Sequence, residues 1–250
     1  MQDIILTALK SVDITPSSGQ LSQLETFADV LVERNKVMNL TGITAPEGIA
    51  YNHFADSAAP LPMIPRDARV IDVGTGAGFP GVPMTILRPD IDMTLFDSLL
   101  KRIEFLEDAC AAVGISAHCV HGRAEEAGRD PEFREQFDCA VSRAVARLDM
   151  LCELCLPFVK PGGAFLAMKS SHAEEEASAA DSVCAELGAV RESVFDYNIR
   201  GVACRVYVIR KTARTPDAYP RRFAKMKKIY GIKQSKQQKI VEVMPKTWYN

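Results

Sequence analysis

Residues 70–83 read VIDVGTGAGFPGVP, and the residue types in that stretch set two chemistries against each other. Gly76, Gly78 and Gly81 satisfy G-x-G-x-x-G, the spacing of a loop that cradles a diphosphate. Asp72, Gly74, Gly76 and Gly78 form a different pattern, an acid followed by alternating glycines. In either reading the glycines let the chain turn sharply out of a strand and let a ligand approach the backbone. Asp72 separates the two. A carboxylate about 4 Å from a phosphate charge, at an effective dielectric near 20, is repelled by on the order of 4 kcal/mol. A cofactor bearing an ammonium and a sulfonium is attracted instead. S-adenosylmethionine carries both, so the run favours it over NAD or FAD.

Other residues could serve such a site. Asp97 lies about 20 residues past the glycines, where an acid binds ribose hydroxyls, although it also suits the N-cap before Leu99. Arg143 follows a strand, at the end where ligands bind in open α/β sheets. Its guanidinium could hold a ligand's anionic group bidentately or a structural carboxylate. Glu125 and Glu126 suit a helix start, where acids favour the dipole. Asn39 reads as a helix C-cap, and His53 as a packing histidine. Cys152-Glu-Leu-Cys155 is a formal C-x-x-C, but its thiols fall on one helix face with Leu148, Leu151 and Phe158. That reads as packing, since no second pair or neighbouring histidine completes a zinc site. The chain carries no Ser-His-Asp set, no metal cluster and no N-P-P-Y-like run.

The elements that must position these residues fall into two regimes. Leu21, Leu24, Phe27, Ala28, Leu31 and Val32 have helical spacing, predicting a helix over 20–37 that Asn39-Leu-Thr-Gly42 breaks. A second helix starts near Pro46 and ends before Pro62. Residues 1–64 thus form a small helical lead-in. From 69 onward strands alternate with helices: strands at 69–73, 92–96, 117–120, 138–142 and 164–168, and helices at 80–88, 100–113, 148–159 and 172–187. Lys160-Pro-Gly-Gly163 reads as a helix stop. Two strands, 190–197 and 204–210, then follow with no helix between them. This predicts an α/β fold, a mostly parallel doubly wound sheet with an antiparallel terminal hairpin, over 65–212. Residues 213–250 lack periodicity and are expected to wrap the surface or stay mobile.

The net charge of −2 hides an asymmetry. Residues 219–250 hold nine Lys/Arg and one acid, so the tail is +8 and the rest of the chain −10. A basic tail on an acidic body suits a polyanion. The odd number of cysteines, seven, at scattered spacing is not a disulfide framework. The N-terminus is a poor signal peptide, and no run approaches the roughly 20 apolar residues that span a bilayer. The expectation is a cytoplasmic, membrane-free protein.

The run D-x-G-T-G-x-G-F-P-G is far more specific than its glycines alone. The chain resembles the bacterial 16S ribosomal RNA guanine-N7 methyltransferases, the RsmG (GidB) family, through several blocks in order. These are RNKVMNLTGIT (34–44), HFADS (53–57), VIDVGTGAGFPG (70–81), FDSLLKRIEFL (96–106), GRAEE (122–126), SRAVARL (142–148), PGGAFLAMKS (161–170) and YPRR (219–222).

The resemblance implies a Rossmann-like class I S-adenosylmethionine-dependent methyltransferase fold, with S-adenosylmethionine as cofactor and 16S rRNA of the small ribosomal subunit as partner. It implies cofactor contacts from Gly74, Gly76, Phe79, Asp97, Ala124, Glu125 and Arg143, and target-side candidates Asn39, His53 and Lys169. Asp56 also matches a family motif. No proton-transferring residue and no metal are implied, because guanine N7 bears a lone pair and no proton. A monomer is expected. Arg221, Arg222, Lys225, Lys227 and Lys228 are expected on rRNA phosphates, although the chain departs from the family after Arg222. The alternatives on these residues are a small-molecule methyltransferase on the same sheet and an NAD(P)-dependent oxidoreductase.

Overall fold

The computed structural model describes residues 1–143, 146–170 and 174–231. The chain opens with α1 (Gln2–Lys10) and α2 (Ser18–Met38). A capping box starts α2: Ser17 Oγ accepts from Gln20 N while Gln20 Oε1 accepts from Ser17 N. The amide of Gln20 also donates to the carbonyls of Ile86 and Leu87, tying that helix start to the body. Asn39 ends α2 in the left-handed region at φ 50°, the C-cap its residue type suggests. The following helical segment comprises α3 (Pro46–Gly48), a π-helix (Ile49–Ala55) and α4 (Asp56–Ala58). Neither α1 nor the π-helix was expected from periodicity.

The remainder alternates as β1 (Arg69–Val73), α5 (Gly81–Leu87), β2 (Asp92–Asp97), α6 (Leu100–Val113), β3 (His118–His121), α7 (Ala124–Ala127), β4 (Phe137–Arg143), α8 (Leu148–Cys155), β5 (Val159–Ser170), α9 (Glu174–Glu186), β6 (Ala189–Ile199), β7 (Val202–Lys211) and α10 (Phe223–Ile229). The sheet order is β3-β2-β1-β4-β5-β7-β6. Strands β1 to β5 pair in parallel, and β7 inserts antiparallel between β5 and β6. The C-terminal ends of β1 to β5 and the β6–β7 turn therefore share one end of the sheet, where the crevice of an open α/β fold binds its ligand.

Two expected boundaries move. Lys160-Pro-Gly-Gly163 lies within β5, where the β4 register shifts before resuming at Ala164. The helix expected over 148–159 ends at Cys155 and passes into a 3-10 turn, Leu156–Phe158, because Pro157 has no N–H to continue it.

Helices cover both faces of the sheet. One core joins Leu24, Phe27 and Leu31 of α2 to Val70, Leu95 and Val141, so the helical lead-in shares its core with the sheet. The other joins α8, α9 and α10 to Ile71, Phe165 and Tyr207. Cys152, Cys155 and Cys184 are buried there, with Cys184 Sγ 3.5 Å from Cys152 Sγ. Burial pushes the Cys152 and Cys155 thiols well above their ordinary range, consistent with packing thiols.

After β7 the chain runs back as a strap. Arg129 donates to the carbonyls of Asp217, Ala218 and Pro220, and Arg134 to those of Thr215, Pro216 and Tyr219. Residues 212–222 thus wrap the body. Lys233, Lys236, Lys239 and Lys246 of the basic tail lie outside the described residues.

Candidate active site

The glycine loop leaves β1 and enters α5. Gly74 and Gly76 have φ of 77° and 62°, a conformation glycine adopts at little cost. Gly81 meets a different demand: a Cβ there would lie 2.2 Å from Leu95 Cδ2. Most of the loop's amides are already used. Gly74 N and Thr75 N donate to Phe96 O, Gly78 N and Phe79 N to Thr75 O, and Val82 N to Gly78 O. Gly76 N donates to Asp97 Oδ2 at 3.0 Å and Gly81 N to Asp72 Oδ2 at 2.8 Å. A diphosphate-binding loop must offer its amides to the ligand. This one turns them inward.

Asp72 is the pivot of that arrangement. It is fully buried beneath the loop and does not face the site directly, which revises the electrostatic picture drawn from its position. Burial raises its carboxyl to about 7, opposed by the neighbouring Thr75 hydroxyl and the Gly81 amide. Its Oδ1 and Thr75 Oγ1 both lie buried without a partner that meets hydrogen-bond geometry. The carboxyl therefore shapes the loop, and a cation bound above it would favour the ionised form.

Asp97 ends β2 and is 3% exposed. Its Oδ1 accepts from Leu99 N at 2.9 Å, and its Oδ2 from Gly76 N and from Arg102 Nη1 at 3.2 Å. A carboxylate offers about four acceptor positions, so roughly one remains for a ligand hydroxyl. Asp97 thus braces the turn before α6 and keeps acceptor capacity. Its backbone carbonyl takes Gly122 N, which holds α7 alongside. That places Ala124 and the buried Glu125 next to the β2 end.

Arg143, at the end of β4, is held from the helical lead-in. Its Nη1 donates to Asn52 O and Asp56 Oδ2, both at 3.0 Å, and its Nη2 to His53 Nδ1 at 3.1 Å. The side chain is only 7% exposed, so it does not project freely from the rim as its position suggested. Of five guanidinium donors, these contacts use three and leave two. Tyr197 of β6 donates to Asp56 Oδ1 at 2.6 Å and closes the network. The guanidinium also lies 5.1 Å from the centre of the Phe79 ring.

His53 stands behind Phe79. Expected on the target side, it is completely buried in this structure. Because Arg143 can only donate, His53 Nδ1 accepts, and the neutral ring donates from Nε2 to Thr41 Oγ1 at 3.0 Å. Burial and the Arg143 charge hold its pKa well below the ordinary value. Thr41 is in turn clasped by Asn35, whose side chain bonds both its N–H and its carbonyl. Asn39 is exposed at the end of α2. Lys169 is half-buried near the end of β5 and donates to Ala146 O at 2.7 Å.

Sequence reasoning passed over Asn35, Thr41, Asn52 and Tyr197. Asn35 and Thr41 lie within RNKVMNLTGIT (34–44), and Tyr197 stands just before the hairpin turn. Arg221 is corrected as an RNA contact. It binds the fully buried Glu153 through its backbone N–H, Nε and Nη2, and Tyr230 completes that cluster. Arg222, Lys225 and Lys228 remain exposed on or beside α10. No group of His, Cys, Asp and Glu among the described residues is arranged to hold a metal. No described helix is long and apolar enough to cross a membrane.

Comparison with known proteins identifies a family and a shared fold. Residues 20–201 match the GidB family, described as rRNA small subunit methyltransferase G. The chain is 41% identical over 233 residues to the ribosomal RNA small subunit methyltransferase G of Alkaliphilus oremlandii, covering 91% of this chain and 98% of that one. It is 44% identical over 214 residues to the protein of the same name from Desulfitobacterium hafniense, covering 84% and 89%. Among solved structures, a methyltransferase from Pyrococcus furiosus superposes with a TM-score of 0.53 at 14% identity, over 76% of this chain and 98% of that one. The mitomycin 7-O-methyltransferase MmcR gives 0.54 at 13% identity, over 74% and 60%. At such identities these two show a shared fold.

Proposed function

The chain belongs to the rRNA small subunit methyltransferase G family, which is S-adenosylmethionine-dependent, and we propose that it methylates N7 of one guanine in 16S ribosomal RNA. The observation that carries the cofactor reading is the glycine loop with its amides turned inward. That loop offers little to a diphosphate, which disfavours the oxidoreductase alternative, and it sits on a carboxyl that a cation would ionise.

The residues present fit S-adenosylmethionine, which supplies the methyl group when bound. Gly74, Gly76 and Phe79 line the methionine half. Arg143 holds the methionine carboxylate with its two remaining donors. Asp97 accepts one ribose hydroxyl, and Ala124 and Glu125 meet the adenine edge. Guanine N7 carries a lone pair and no proton, so the protein's task is alignment and exclusion of water. His53 fits that picture, because it is neutral, buried and bonded at both nitrogens, and serves to hold Phe79 and Arg143. Lys169 and Asn39 approach the RNA side, and Arg222, Lys225, Lys227 and Lys228 meet phosphates. The protein acts in the cytoplasm as a monomer on the small subunit.

The test is transfer of tritiated methyl from S-adenosylmethionine to small subunits isolated from cells lacking this protein, followed by mass mapping of the RNA. One new N7-methylguanosine is the expected result. Label at another atom, or none, would overturn the assignment.

A further inference from the structure

The β6–β7 turn carries a residue that its backbone does not favour. Ile199 pairs with Val202, leaving Arg200 and Gly201 as a two-residue turn with φ of 50° and 83°. Both are positive, the geometry of a type I′ hairpin, for which Asn-Gly is the preferred pair. Arginine enters the left-handed region only at a cost, and residues kept there against preference cluster at functional positions.

The Arg200 side chain is exposed and its guanidinium lies 5.5 Å from the centre of the Tyr51 ring. Tyr51 belongs to the π-helix of the lead-in, the element that also supplies His53 and Asn52 to the Arg143 network. The hairpin is fastened there by Tyr197 on Asp56. Two carboxylates of these elements are already held: Asp196 by Arg205, and Asp56 by Arg143 and Tyr197. Among the described residues Arg200 meets no carboxylate. Because β6 runs parallel to β5, the turn stands at the same end of the sheet as Gly74, Asp97 and Arg143.

We propose that Arg200, steadied on Tyr51, is a phosphate contact for the RNA strand flanking the target nucleotide, an inference that rests on the RNA substrate proposed above. A guanidinium over an aromatic face spends its flat surface on the ring and keeps its in-plane N–H groups for a phosphate. The contact fixes the approach of the strand without reading its sequence.

The test compares wild type with Arg200→Asn, which preserves the turn, and with Tyr51→Leu and Tyr51→Phe. Binding to small subunits from cells lacking the protein is measured across a salt series, alongside S-adenosylmethionine affinity. Arg200→Asn is expected to weaken subunit binding about fivefold and to flatten the log–log salt slope by about 0.7–0.9, leaving cofactor affinity unchanged. Tyr51→Leu should weaken subunit binding less, and Tyr51→Phe should match wild type. Unchanged affinity and slope in Arg200→Asn, with wild type binding and methylating subunits, overturns this inference alone. Wild type that neither binds nor methylates them overturns the RNA reading and this inference together.

Discussion

His53 lies flat against Phe79, the ring centroids 4.1 Å apart and the planes 15° from parallel. The stack joins the helical lead-in to the glycine loop, and Phe27 and Phe54 pack around it. It makes the loop's conformation depend on a residue distant in sequence.

Replacing His53 by Phe should keep the stack and remove its two hydrogen bonds. At pH 7.5 the variant is expected to lose about 1–3 kcal/mol, since Arg143 and Thr41 lose a partner. Its pH dependence should be flatter. The native imidazole stays neutral while the unfolded one takes up a proton, so wild type loses stability as pH falls below about 6.5. Urea unfolding at pH 7.5, 6.5 and 5.5 measures both effects.

Arg143→Lys keeps a positive charge beside Asp56 but cannot reach Asn52, Asp56, His53 and a ligand together. We expect S-adenosylmethionine affinity to fall about tenfold, with a stability loss of about 1–3 kcal/mol. Calorimetric titration and thermal unfolding separate the two. Wild-type affinity in this variant would mean that the guanidinium serves only the lead-in.

Asp72 should couple cofactor binding to proton release. Its native pKa of about 7 lies above the unfolded value, so the native state holds the extra proton. Stability conferred on the cofactor-free protein therefore declines as pH rises from about 4 to 7. A cation bound over the loop lowers that pKa. Titration with S-adenosylmethionine at pH 7, in buffers of different ionisation enthalpy, should show up to about half a proton released. Asp72→Asn should show none and should flatten the stability profile over that pH range.

Glu153→Gln should destabilise by about 2–4 kcal/mol at pH 7, leaving Arg221 facing an amide in a buried cluster. Although burial opposes it, hydrogen bonds from Arg221 and Tyr230 lower the Glu153 pKa. Its contribution is present above the unfolded carboxylate value, near 4.3, and is lost as pH falls through the native one. The gap between wild type and variant in urea melts should therefore narrow below pH 4.

Neutralising Arg222, Lys225 and Lys228 together should test the basic helix without disturbing Met226 and Tyr230, which anchor it. If each contacts a phosphate, the salt slope of subunit binding falls by about 2 to 3. Truncation at 223 would confuse this with loss of packing. An unchanged slope would assign α10 to stability alone.

Much of this architecture was legible because it rests on local signals. The Asp72–Gly81 run marked the strand-to-loop turn, and apolar runs ending at Asp97 and Arg143 marked strands whose ends meet. What stayed hidden depends on long-range pairing. Nothing near Tyr197 announces Asp56, 141 residues away in sequence. Nothing near Arg221 announces Glu153, so the charge run in the tail read as a polyanion contact throughout when one of its members is committed to the core. The π-helix escaped because its apolar spacing differs little from that of an α-helix over seven residues.

Arg129 and Arg134 between them grip all six carbonyls of the strap over residues 215–220. A carbonyl is common to every residue type. Much of the path of this segment is therefore encoded in two arginines some 80 to 90 positions upstream, while of its own side chains Thr215 and Tyr219 add bonds to Lys211 and Glu186. Among related chains, substitutions should accumulate at the exposed Asp217 and Ala218 while the route persists, and a change at Arg134 should release the three carbonyls it holds, those of Thr215, Pro216 and Tyr219.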